Sequence, residues 1–116
     1  MRILIAIALL ALSAPTLAAE RRCGWLDNPT PGNWWLTDAH GEWTISTQGG
    51  AEARGMERLP DMSGRDWVRT NGSYGFGCAC MTAHSRRSAM QIVRIVSATR
   101  RPLSACRADR ALPPRR

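Results

Sequence analysis

The residues whose spacing carries the most chemistry in this 116-residue chain are its four cysteines. Cys78 and Cys80 bracket a single Ala79, Cys23 lies towards the N-terminus and Cys106 towards the C-terminus. Thiols so placed can bind a metal, exchange disulfides as a dithiol, or form structural disulfides. For a zinc site the spacing matches no common Cys/His framework, and His40 and His84 fall in loop-like sequence. No metal and no other cofactor is expected. A redox dithiol would use Cys78 and Cys80, but exchange cysteines usually sit at a helix N-terminus, where the thiolate is favoured. Here both belong to a strand-like run, with Cys23 and Cys106 available as partners. Two structural disulfides are therefore expected. Alternate residues of an extended backbone are held too far apart to bridge, so Cys78 and Cys80 do not pair together. Two sets remain: Cys23–Cys78 with Cys80–Cys106, or Cys23–Cys80 with Cys78–Cys106. Either set ties both chain ends to one central strand. On the chain-entropy model each bond stabilises by roughly 3–4 kcal/mol, a large share of the stability of a small domain.

Other catalytic constellations are weak. Asp38-Ala39-His40 can orient an imidazole, but no Gly-x-Ser-x-Gly elbow accompanies it. Asp27, Asp38 and Glu42 are isolated near turns rather than paired as a glycosidase acid and base. No catalytic residue is assigned, and the chain reads as a non-enzyme. Its work is expected to be binding or hydrolase inhibition, with an envelope protein or an anionic or glycan ligand as partner. The candidate contact residues are Trp34, Trp35, Arg69, Arg86 and Arg87. Adjacent Trp34 and Trp35 point to opposite faces of a strand, so one can be core while the other stacks on a sugar ring. All sixteen basic residues are Arg, against nine acids. Codon bias explains that first; affinity for anions explains it second. No stripe of Arg interleaved with aromatics marks a nucleic-acid groove, so no nucleic acid is expected. The loops Gly49–Gly64 and Thr82–Ser88, the latter with Arg86-Arg87, are the segments able to enter an acidic cleft.

These side chains must be positioned by short elements. Glycine, proline and asparagine interrupt the chain every several residues, and no helical apolar stripe lasts three turns. The expected fold is mostly β: a small antiparallel sheet of about five strands, two disulfides and a short C-terminal helical turn. Cys23 to Asn33 reads as an irregular lead-in. Trp34–Thr37 and Glu42–Gln48 form a hairpin around Asp38-Ala39-His40-Gly41, with Trp43, Ile45 and Thr47 on one face. Gly49–Gly64 is a long polar loop and the most mobile segment. Asp66–Thr70 and Ser73–Met81 flank Asn71-Gly72, a dipeptide that tolerates positive φ at both turn positions. In the second arm Tyr74, Phe76, Cys78 and Cys80 share one face and Gly75, Gly77 and Ala79 the other. A flat glycine face invites close packing, and a Trp ring over Gly75 and Gly77 would supply it. Thr82–Ser88 is a polar connection and Met90–Ser97 the last long strand. Ser104 caps one helical turn through Asp109. Leu112–Arg116 is a frayed tail.

The N-terminus reads as an export signal. Met1-Arg2 is followed by the ten-residue apolar run Ile3–Leu12 and by small residues at Thr16, Ala18 and Ala19. A bilayer core needs about 20 apolar residues, so the run is a signal and not an anchor. Cleavage within Ala18–Ala19 divides the chain into a signal, residues 1–19, and one domain, residues 20–116. The product is expected to be periplasmic or secreted, with no stable membrane anchor.

The domain resembles a family of small exported bacterial proteins of unknown function, domain of unknown function 4087. The likeness runs through Cys23-Gly24-Trp25, Asn28-Pro29-Thr30-Pro31, Trp35-Leu36-Thr37-Asp38, Gly41-Glu42-Trp43-Thr44-Ile45 and Gln48-Gly49-Gly50. It continues over Asp66 to Cys80, where Thr70 to Cys80 is its most specific stretch, and over Arg101 to Asp109. It implies no activity, because the family has none to transfer.

Overall fold

A computed structural model describes residues 3–7 and 18–115. Most of the signal-like segment, residues 1–2 and 8–17, and Arg116 lie outside the described residues. Six strands are present: β1 (Ala19–Thr30), β2 (Asn33–Asp38), β3 (Gly41–Ser46), β4 (Trp67–Asn71), β5 (Tyr74–Arg86) and β6 (Gln91–Arg101). One short helix, α1 (Leu103–Arg107), follows. The strands form one sheet in the order β1-β2-β3-β6-β5-β4, and β1 also pairs with β5. That extra pairing closes β1, β2, β3, β6 and β5 into a circuit. The fold is mostly β with two disulfides and a C-terminal helical turn, as expected. All pairings between strands are antiparallel except β3 with β6, which meet in parallel at Thr44 and Gln91.

Three segments depart from the expected elements: each buries side chains against the sheet, and in β1 both faces are covered. Most of Cys23 to Asn33 is not irregular: β1 runs through it to Thr30, bonded to β5 on one side and β2 on the other, and only Pro31-Gly32 form a turn. Consecutive Trp25 and Leu26 are both fully buried, each in a different core. A strand covered on both faces loses the alternation that would advertise it. Pro29, which cannot donate to a ladder, sits where the β1–β2 register shifts between Asp27 and Thr30. Thr82 to Ser88 is not merely a connection: β5 continues to Arg86 with Ala83 fully buried. The third departure is the segment Gly49–Gly64, which is pinned to the sheet. Ala53 N donates to Ile45 O at 2.9 Å, Arg54 N to Val93 O at 3.0 Å, and Ile95 N to Arg54 O at 2.8 Å. Its Ala53 and Met62 are core residues.

The main core fills the circuit with Leu26, Leu36, Trp43, Ile45, Met81, Ile92 and Ile95. At its rim Arg22, only 3 % exposed, lies 3.7 Å over the Trp43 ring. Its guanidinium reaches Asp38 at 3.1 Å, Glu20 at 2.8 Å and Ser85 at 3.0 Å. Asp38 is buried and also accepts from Trp43 Nε1 at 2.9 Å and from His40 N at 2.8 Å. Both charges are thus paired and hydrogen-bonded, the condition for burying them. The Asp38-Ala39-His40 segment builds this network, with His40 Nδ1 3.9 Å from the carboxylate.

A second core lies outside the circuit, between β1–β5 and the C-terminal segment. Trp25, Phe76, Cys78, Leu103, Cys106 and Leu112 form it, and Trp25 meets Phe76 edge to face at 5.5 Å. The disulfides are Cys23–Cys80 and Cys78–Cys106. Register selects this set: Cys23 stands directly opposite Cys80, whereas Cys78 faces Trp25 and α1. Ser104 does not cap α1: Pro102 is at the N-cap, and the N–H of Leu103 donates instead to Asp66 Oδ1 at 3.5 Å.

The tail is held rather than frayed. Leu112 is buried, Trp25 Nε1 donates to Pro113 O at 2.8 Å, and Arg115 pairs with Asp27. Burial pushes the Asp27 carboxyl above its ordinary value of 3.8, outweighing the hydrogen bond and charge of Arg115. Asp27 Oδ2 has no hydrogen-bond partner among the described residues. An acid with a raised folded pKa binds more protons folded than unfolded between the two values. Stability from this group is therefore present at low pH and lost as pH rises from about 4 through the folded pKa. Asp27→Asn keeps an acceptor for Arg115 and removes the titration. Its melting temperature relative to wild type should be highest at neutral pH and fall on acidification. An offset constant from pH 3 to 7 would contradict this.

Candidate functional site

The glycine face of β5 determines the site. Trp67 pairs across from Gly77 and Arg69 from Gly75, so these four share one face of the β4–β5 hairpin. A Cβ at Gly77 would lie 3.0 Å from the Trp67 ring and 2.8 Å from Met62 Cε. A tryptophan therefore covers the flat face at Gly77, as the sequence suggested. Gly75 is covered differently, by the Val68–Arg69 backbone. The hairpin turn is centred on Gly72-Ser73, one residue beyond the expected Asn71-Gly72. Only Gly72 has positive φ, 59°, which is the demand of a turn with glycine first.

That turn fixes the indole, because Trp67 Nε1 donates to Ser73 O at 3.0 Å. The opposite wall is the segment before β4. Ser63 N donates to Asp61 Oδ1 at 2.9 Å, and the Ser63 hydroxyl and backbone N–H together hold the Asp61 carboxyl below the usual range. Arg100 reaches across from β6 to Asp61 O at 3.0 Å and Ser63 O at 3.1 Å. Met62 anchors the wall in the main core. Between the walls lies a cleft of about 360 Å³ lined by Ser63, Gly64, Trp67, Arg69 and Ser73. Its size falls in the range of small-ligand sites, roughly 300–1,000 Å³. It presents a half-buried indole, an exposed guanidinium and two serine hydroxyls. An indole face stacks on the C–H face of a sugar ring, and a guanidinium takes a carboxylate in two parallel bonds.

Of the five candidate contact residues, only Arg69 lines this cleft. Trp34 packs against the main core from its edge. Trp35 is half-buried on β2 between Asp27 and Thr44. Trp67 is half-buried as they are, so exposure does not separate the three; what does is that neither strand pairing brings Trp34 or Trp35 to Arg69. Arg86 and Arg87 are exposed at the far end of β5, where Arg87 lies 3.7 Å from Glu20. Sequence reasoning missed Trp67: it asked for a tryptophan over the glycine face without saying which. The available signal was its position two residues before Arg69 in the same arm, which places indole and guanidinium side by side. Among the described residues no three His, Cys, Asp or Glu side chains converge to hold a metal ion. Nor is any helix among them long and apolar enough to cross a membrane.

A family model described as a protein of unknown function (DUF4087) matches residues 17–113. No curated protein and no solved structure matches the chain.

Proposed function

From a chain that belongs to the DUF4087 family of proteins of unknown function, we propose a non-enzymatic binding module that takes acidic sugars in the Trp67–Arg69 cleft. The observation that carries this reading is an indole floor and a guanidinium held side by side over β5, in a cavity of ligand size. The pyranose ring stacks on Trp67, the uronate carboxylate pairs with Arg69, and Ser63 and Ser73 meet ring hydroxyls. Two disulfides suit an oxidising compartment, where acidic envelope polysaccharide is found. Export by the N-terminal signal, with a periplasmic or secreted product, belongs to the same reading.

Calorimetric titration with an acidic oligosaccharide and with its neutral counterpart tests the proposal. A charge-assisted hydrogen bond contributes about 1.5–3 kcal/mol, so Arg69→Ala should weaken the acidic ligand about tenfold or more. Because Arg69 is exposed, its removal should leave the melting temperature unchanged. The neutral sugar should bind weakly to wild type and variant alike. Equal affinity of wild type and Arg69→Ala for the acidic sugar would reject the assignment.

A further inference from the structure

The two disulfides sit in opposite chemical surroundings. Cys78–Cys106 is packed among Trp25, Phe76, Leu103 and Leu112, with its cysteines 2 % and 3 % exposed. Cys23–Cys80 lies on the outer surface of the β1–β5 pair. Cys23 is partly exposed, and a groove of about 210 Å³ lined by Arg21, Asp38, Ala39 and His40 opens onto it. Cys80 is buried, and Arg101 Nη1 donates to its Sγ at 3.6 Å. Arg21 lines a smaller hollow on the Cys80 side.

We propose that Cys23–Cys80 is an exchangeable disulfide that accepts electrons from a dithiol, while Cys78–Cys106 is inert. Exposure dictates the direction of attack. A thiolate of the dithiol enters the groove and attacks Cys23 Sγ, forming a mixed disulfide. The Cys23–Cys80 bond breaks, and its electron pair leaves on Cys80 as a thiolate beside the Arg101 guanidinium. A neighbouring cation lowers the thiol pKa, and a leaving thiol of lower pKa departs faster. The second thiol of the reagent, as its thiolate, then attacks the mixed disulfide. It releases Cys23 and closes the reagent into its own disulfide. Two electrons pass from dithiol to protein, and the two new thiolates take protons from solvent. β1 remains bonded to β5 along the ladder from Ala19 to Asn28, so the fold does not depend on this bond alone.

The test treats the folded, fully oxidised protein with dithiothreitol without denaturant. Samples are alkylated at intervals and mapped by peptide mass spectrometry. Cys23 and Cys80 should be labelled about tenfold faster than Cys78 and Cys106, with the far-UV spectrum unchanged. Arg101→Leu should slow labelling of Cys23 and Cys80 several-fold and leave the rate at Cys78–Cys106 as it was. A merely structural Arg101 would not separate the two rates. Labelling of all four cysteines at one rate, reduction of Cys78–Cys106 first, or an unaltered rate in Arg101→Leu would overturn the proposal.

Discussion

Gly24→Ala should destabilise the protein by about 3 kcal/mol or more, among the largest effects of any single methyl group in the molecule. Gly24 sits in β1 where that strand is bonded on both sides, to β5 and, from the next residue, to β2. A Cβ there falls inside the van der Waals shell of the Thr37 carbonyl, and 3.0 Å from Asp38 Cα. These are backbone atoms, so no side chain can swing away; the β1–β2 seam must open. That seam also sets the Arg22–Asp38 contact, so the strain spreads into the buried charge network. Gly49→Ala supplies the contrast. Gly49 has φ 75° but nothing within 4 Å of a Cβ, leaving only the left-handed penalty of about 1–2 kcal/mol. Urea denaturation of the two variants should separate them clearly. A loss below about 1 kcal/mol for Gly24→Ala would show that the seam is looser than described.

The second large effect is expected at Arg22. Arg22→Leu leaves the Asp38 carboxylate buried with its cation gone, a change that costs about 3–5 kcal/mol. It also removes the guanidinium stacked on Trp43. Adding Asp38→Asn should recover much of the loss. The amide carries no charge, yet its oxygen still accepts from Trp43 Nε1 and His40 N, the two bonds that hold the β2–β3 turn. The double variant should thus be more stable than Arg22→Leu alone. If the two losses simply add, the charges act independently and the network is not a unit.

Much of this architecture was legible in the sequence because one face of an element met water. β2, β3 and β6 were located from alternation or β-branched density, and their cores follow from it. β1 was not legible because Trp25 and Leu26 feed separate cores, so no face of the strand stays polar. The C-terminal tail was misread for a related reason. Its two prolines and terminal arginines resemble a solvated end, yet Leu112, Pro113 and Arg115 are held by Trp25, Phe76 and Asp27, all distant in sequence, with Trp25–Pro113 and Asp27–Arg115 each 88 residues apart. No local pattern carries that information. The disulfide set had two solutions in sequence, and strand register chose between them. At the candidate site, Arg69 was recognisable as an exposed cation in a strand. Trp67 was not, because any of the five tryptophans could have covered the glycines. What joins them is a cross-strand register that places both on the flat face of β5.

The most direct test of the cleft is a nuclear magnetic resonance titration of the five indole N–H signals. With an acidic oligosaccharide added, the Trp67 signal should move while those of Trp25, Trp34, Trp35 and Trp43 stay in place. A shift at Trp35 with Trp67 unmoved, or no shift at any indole at saturating sugar, would contradict the account.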